Sequence, residues 1–329
     1  MDITEIRHYP LREPVSGNQY SLLRVKTRSG LTGWGECGAE FAGDVKALES
    51  AWMGKPAHTY AAIMPSVPFG GALDMALLDI VGKACNAPIY RVLGGPTRNR
   101  IRAYSSSQDN NFAISVIAVP VPASRNQGKA YQNQIRALVD RVPDSRDFVL
   151  AGNGLLTPGD AASVAASVEA KHPLWFDEPC AHSNLEAVRK ISGETVVPLG
   201  FGRGIREAGV FQALLREGLV DIARPELAFF GINGARRIAA LAEPYYVAVA
   251  PHHHGGPVGT AAAIHLAASV PNFFAQHVPI PAAAEDRAMR QAIVSPDLET
   301  GRNGFLELPK GPGLGITINE SALEKYHAA

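Results

Sequence analysis

At 329 residues the chain is long enough for one large core or two domains. Lys+Arg and Asp+Glu both number 31, so no net field draws a polyanion, and nucleic acid and membrane surfaces are excluded as expected partners. Three scattered cysteines (Cys37, Cys85, Cys180), no secretory leader pattern in MDITEIRHYP and no apolar run near the ~20 residues of a membrane helix predict a reduced, cytoplasmic protein.

Asp2–Pro10, Gln19–Thr27 and Gly30–Glu36 read as strands, the last two joined by a Ser29-Gly30 turn into an antiparallel hairpin. Two helical stretches follow. In the second, Ala72–Cys85, the residues Leu73, Ala76, Leu77, Ile80 and Val81 share an apolar face while Asp74 and Lys83 sit off it. Strands followed by helices make an α+β unit. From Ile101 onward the pattern alternates, with strands expected at Ile101–Ser105, Val116–Val121, Phe148–Leu150, Leu174–Phe176, Val197–Phe201, Asp221–Ala223, Val247–Ala250 and Phe273–Gln276. Eight is the number that closes a (β/α) barrel. The third barrel helix opens at Thr157-Pro158-Gly159-Asp160, a capped start with Pro in the first turn. Only about ten residues, ending in SQDNNFAIS, separate the first two barrel strands, fewer than the dozen or so a parallel crossover takes, so the first barrel helix is expected to be missing. The segment Ala282–Arg302 is polar and left unassigned. The expected domains are an α+β cap over 1–97, completed by about 296–329, and a modified barrel over 98–295.

Ala151, Asp177 and Arg203 lie at equal intervals of 26 residues, each after a short apolar run. A regular βα repeat would set them side by side at the carboxyl ends of neighbouring strands, where barrels collect catalytic groups.

GLTGWGE at Gly30–Glu36, ALDMALLDIVGKACNAPIYRVLGG at Ala72–Gly95, LWFDEP at Leu174–Pro179, APHHHGGPVGTAAAIHLAA at Ala250–Ala268 and PGLG at Pro312–Gly315 resemble the mandelate racemase and muconate lactonizing enzyme branch of the enolase superfamily. The likeness runs through nearly the whole chain in order. It implies a TIM-type barrel with a capping domain, substrate held between them, and removal of the proton beside a carboxylate by a racemase or sugar-acid dehydratase. It also implies magnesium held by carboxylates after barrel strands three, four and five, acting as Lewis acid. Those positions fall on Ala151, Asp177 and Arg203, so Asp177 is the single ligand-type residue kept, and no cofactor is expected, magnesium being the family alternative. The family's lysine pair falls on Ala118 and Pro120, which accept no proton. Glu226 and His252 fall on an acid–histidine pair, where a carboxylate behind an imidazole suits acid–base work near neutral pH. His277 takes the place of a family glutamate, and Asn153 survives from the first ligand motif. REPVSGNQY has lost most of the loop that closes over substrate in relatives.

Two functional readings stay open, with a metal enzyme using relocated histidine ligands standing behind them as a third. In one, His252 is the acid–base, Glu226 its partner, and Arg203, His277 and Asn153 hold a small carboxylate. In the other, the chain is a catalytically silent relative that binds a small acid or serves in an assembly; a homo-oligomer is expected in either case. Plainer readings stand beside these. Asp177 and Arg203 fit a structural salt bridge, the run His252-His253-His254 points its rings in different directions rather than at one metal, Gly255-Gly256-Pro257 opens a helix toward an anion or simply turns, and Cys180 is a packing residue.

Overall fold

The computed structural model describes residues 1–106, 111–124, 128–253 and 255–328. Strands β1 (Ile3–Arg12), β2 (Gln19–Thr27) and β3 (Thr32–Gly38) form an antiparallel sheet in chain order, followed by helices α1 (Val45–Trp52), α2 (Gly70–Ala84) and α3 (Ile89–Val92). Helix α2 is buried over almost its whole length against β3. The approach is close because Gly33 and Gly35 carry no side chain: a Cβ there would fall 2.0 Å from the Ala76 carbonyl and 1.8 Å from that of Ala72. Asp74, expected off the apolar face, is buried. Its carboxylate accepts from the Asn233 amide at 3.0 Å, where a second helix breaks at Gly231. Two packed helices leave no solvent-facing side there, so amphipathic spacing misjudged it.

The barrel follows as β4 (Arg100–Tyr104), β5 (Ile114–Ala118), α4 (Lys129–Val139), β6 (Asp147–Ala151), α5 (Pro158–Val168), β7 (Phe176–Asp177), α6 (Leu185–Glu194), β8 (Leu199–Phe201), α7 (Ala208–Arg216), β9 (Ile222–Ala223), α8 (Leu227–Ala242), β10 (Ala248–Val249), α9 (Pro257–Ser269) and β11 (Gln276–His277). Strands β5 to β10 pair in parallel and in sequence order, Val249 bridges Phe273 ahead of β11, and β11 pairs in parallel with β4. All eight expected strands are present. Their ends move by a few residues: β5 starts at Ile114 because it registers with Asp147, and Val121 lies outside and exposed. Among the described residues no helix lies between β4 and β5. Helix α5 is capped as its sequence implies, with the Asp160 amide donating to Thr157 Oγ1 at 3.2 Å.

The unassigned segment holds α10 (Ala284–Ile293) and β12 (Val294–Ser295), followed by β13 (Phe305–Glu307), β14 (Thr317–Ile318) and α11 (Glu320–Lys325). Strand β13 pairs antiparallel with β4, and the tail meets the cap where Leu314 N–H donates to Asp79 and Arg24 pairs with Glu320. The short turn after β1 is pinned to α10, with Val15 and Ser16 amides donating to Asp286 at 2.8 and 2.9 Å. Beside it Arg290 pairs with Glu13 at 2.7 Å and Glu299 at 2.9 Å. The Gly-rich start of α9 meets a carboxyl group: Glu36 of the cap accepts from the amides of Gly256 and Val258. No helix among the described residues is long and apolar enough to cross a membrane.

Candidate active site

The carboxyl ends of the parallel strands open on a cavity of about 310 Å³, large enough for a small organic acid. Its walls carry Tyr104 from β4, Ala151 from β6, Asp177 from β7, Arg203 after β8, Arg224 after β9, His252 after β10 and His277 from β11.

The interval of 26 places only part of this. Ala151 and Asp177 are register partners, but the partner of Asp177 on β8 is Gly200, so Arg203 lies three residues further along. It reaches the site because the chain turns at Gly202, whose φ of +144° disfavours a side chain and where a Cβ would fall 2.6 Å from the Arg224 carbonyl. Glu178 fixes that turn from behind. Held at a left-handed φ of 43°, its carboxylate accepts from the amides of Gly202 and Arg203, both at 2.7 Å. Burial first, and Asp177 beside it, push the Glu178 carboxyl above its usual range.

Asp177 is enclosed by donors. Trp175 Nε1 donates to one oxygen at 3.3 Å, and Arg203 Nη1 approaches the other at 3.2 Å. The same oxygen pairs with Arg224, which the sequence reading did not single out. Arg224 is only 2% exposed. It also donates to the Tyr104 hydroxyl at 2.7 Å and the Ala250 carbonyl at 3.3 Å, and lies 5.7 Å from the centre of the Trp175 ring. Burial works against its charge, but Asp177 and Tyr104 outweigh burial and its pKa is raised. The signal for it was an arginine directly after the apolar run of β9, two residues before Glu226. Arg203 stays 23% exposed and donates its Nη2 to Asn153 Oδ1 at 3.1 Å. Both arginines thus share Asp177, and Asn153 orients the outer one.

On the other wall, Glu226 and His252 are joined by a parallel backbone bridge, and the same spacing of 26 recurs between β9 and β10. His252 Nδ1 lies 2.8 Å from Glu226 Oε2, while Glu226 Oε1 accepts from the Ala228 amide at the start of α8. The carboxylate therefore holds the Nδ1–H tautomer, which leaves Nε2 as the basic nitrogen. His277 stacks on His252 with ring centres 5.1 Å apart and planes within 7°, and its Nε2 lies 3.1 Å from Ser106 Oγ.

The other histidines diverge. His253 turns away to Thr260 Oγ1 at 3.3 Å, and His254 lies outside the described residues. Ala118 lines the cavity without a proton acceptor, and the Pro120 carbonyl is taken by the Tyr131 hydroxyl. Cys180 is buried and its thiol pushed up to about 11, chiefly by burial, which fits a packing residue.

The donor set does not fit magnesium. A hard divalent cation needs several free oxygens. Here Ala151 offers none, and the Asp177 oxygens already receive two guanidinium groups and an indole. Among the described residues no group of three or more His, Cys, Asp or Glu side chains is arranged to hold a metal.

A family profile described as "Enolase C-terminal domain-like" matches residues 121–322, and one described as "Mandelate racemase / muconate lactonizing enzyme, N-terminal domain" matches 9–94. The chain is 29% identical over 371 aligned positions to D-galactonate dehydratase of Verminephrobacter eiseniae (strain EF01-2), covering 98% of this chain and 93% of that protein. To D-gluconate dehydratase of Thermoproteus tenax it is 28% identical over 285 positions, covering 78% of this chain but 56% of the relative, so it spans just over half of that protein's length. The crystal structure of a mandelate racemase/muconate lactonizing enzyme from Jannaschia sp. CCS1 superposes with a TM-score of 0.86 at 25% identity, covering 100% of this chain and 98% of that one. The chain belongs to the enolase superfamily, in its mandelate racemase and muconate lactonizing enzyme branch.

Proposed function

We propose that this protein binds a small hydroxy or sugar acid at the barrel mouth and moves the proton beside its carboxylate without a metal. One observation carries the reading. The place the resemblance gives to magnesium is filled by the Arg203–Asp177–Arg224 cluster, while the His252–Glu226 pair across the cavity is intact. Arg224 is spent on Asp177, which leaves the outer guanidinium of Arg203, with donors beyond those given to Asp177 and Asn153, to receive the ligand carboxylate. His252 Nε2 then takes the α-proton, and the C–H electron pair moves into the carboxylate as an enediolate. Glu226 stabilises the imidazolium that forms. A delocalised single charge concentrates less field on those oxygens than a divalent ion, so turnover is expected to be slow and confined to substrates with acidic α-protons. The dehydratases among the relatives make sugar acids the first class to test.

The alternative is a silent relative that binds a small acid. What favours it is that Ala118, which ends β5, and Pro120 beyond it carry no side-chain base to work opposite His252.

The test is α-proton exchange in heavy water, followed by NMR, with chelator-treated protein and a panel including D-galactonate and D-gluconate. Exchange should persist with chelator and fall by about 10²-fold or more in His252→Asn. Exchange that appears only with added magnesium would sink the metal-free reading. Silence across the panel, with carboxylates still bound in an Arg203-dependent way, would establish the binding protein instead.

A further inference from the structure

We infer that Tyr104 is a second catalytic residue, the proton donor to a departing β-hydroxyl, which assigns the reaction to dehydration of a 2,3-dihydroxy acid. The inference rests on the proton-transfer reading above and adds to it the group that completes an elimination.

Tyr104 ends β4 and is buried at the cavity wall, its ring edge-on to Trp175 at 5.5 Å and tilted against His277 at 5.3 Å. Its oxygen receives a hydrogen bond from Arg224 Nη2 at 2.7 Å. A guanidinium has no lone pair to offer in return, so Arg224 can only donate. The tyrosine must therefore aim its own O–H elsewhere, and it belongs to the same cavity as Arg203 and His252. A phenol fixed in this way is a poised donor. Burial raises its pKa, opposed by the cation of Arg224, so it stays protonated until a stronger base develops beside it. The oxygen of a breaking C–O bond is such a base.

Arg224 also makes the donation reversible. The tyrosinate left behind would face a buried cation at hydrogen-bond distance, and that charge is held in place by Asp177. Arg224 is thus a positioning residue that acts through Tyr104. Strand order places β4 on the far side of the barrel from Arg203, after β8, with β11 and then the His252 loop next to β4. The Tyr104 hydroxyl nonetheless reaches back across the mouth, joined through Arg224 to the Asp177 oxygen that Arg203 also contacts, so a ligand anchored by its carboxylate at Arg203 shares one cavity with the phenol.

The step balances without a co-reactant. His252 takes the α-proton, and the C–H pair becomes the carbon–carbon double bond. The β C–O pair leaves with its oxygen, which takes the Tyr104 proton and departs as water. The enol tautomerises to a 2-keto acid, and the proton on His252 returns to the tyrosinate through solvent.

The test compares two half-reactions in wild type and Tyr104→Phe, with thermal unfolding as the folding control. With D-galactonate, α-proton exchange should stay within about threefold, while water loss should fall by about 10²-fold or more. The second arm replaces the leaving group with fluoride in a 3-deoxy-3-fluoro analogue, which needs no acid. There the variant should eliminate within about threefold of wild type. Equal losses on the hydroxy and fluoro substrates, in a variant that melts as wild type does, would overturn the assignment. So would unchanged water loss in Tyr104→Phe, or a wild type that exchanges protons but never releases water. None of these outcomes touches the exchange test for His252, so the two readings can fail separately.

Discussion

Two buried charge clusters in this molecule use the same chemistry and reach opposite ends. At the interface of cap and barrel, Arg290 binds Glu13 and Glu299, Glu36 takes backbone amides of α9, and Asp286 takes those of the turn after β1. Every acid there is answered by chain, and the cluster is closed. At the barrel mouth, Arg224 and Asp177 are equally buried, but Arg203 remains partly exposed over a cavity that also holds a polarised histidine and a phenol. An arginine–carboxylate pair cements an interface when all its donors are satisfied within the protein. With one cation left half-answered, the same pair keeps donors that the proposed carboxylate ligand could use.

The first way to break that comparison is to delete the inner cation on each side. Arg290→Ala would leave Glu13 and Glu299 buried, and Arg224→Ala would leave Asp177 with the Trp175 indole and, as its only cation, the partly exposed Arg203. Each should cost about 3–5 kcal/mol in urea unfolding, because one-sided removal strands a buried charge. A loss under about 1 kcal/mol at either site would mean that water replaces the guanidinium.

The next effect is a pH slope. Burial, opposed by the amides of α9 and by Arg290, raises the Glu36 pKa to about 7. A raised carboxyl keeps its proton longer folded than unfolded. Its extra stability is therefore present below the ordinary value of 4.5 and lost as pH rises to about 7. His265, held neutral by burial with its pKa lowered to about 4, works the other way and costs stability as pH falls from 6.5. Wild type minus Glu36→Gln isolates the first contribution, on the order of 1–3 kcal/mol across pH 4.5 to 7. The variant also loses an acceptor for the Val258 amide, so the diagnostic is its flattened slope rather than its absolute stability. An identical slope would show that the helix amides keep Glu36 ionised.

The smallest effect on folding should come from Arg203→Lys, under about 1 kcal/mol because the group is partly solvated. Binding of a small carboxylate should nonetheless weaken about tenfold, since an ammonium cannot serve Asp177, Asn153 and a ligand from one planar fork. Calorimetric titration with D-galactonate decides it, and unchanged affinity would remove Arg203 from the site.

Apolar runs determined the eight barrel strands, because burial on both faces of a parallel strand leaves a continuous apolar signature, and local capping chemistry determined the start of α5, whereas the pairing of Glu226 with His252 was legible only through the family resemblance. The same patterning could not show that Asp74 is buried, that Glu36 stops the α9 N-terminus across 220 residues of chain, or that Arg203 enters the site past its register through the turn at Gly202. Arg224 shows the limit most sharply. In sequence it is one more cation after a short strand. Its role comes from Asp177, Tyr104 and Ala250, which three other segments bring to its donors. Local periodicity records which side of an element is apolar, whereas the partner of a buried charge is chosen by segments far away in the chain, and only the closed barrel brings them within hydrogen-bond reach.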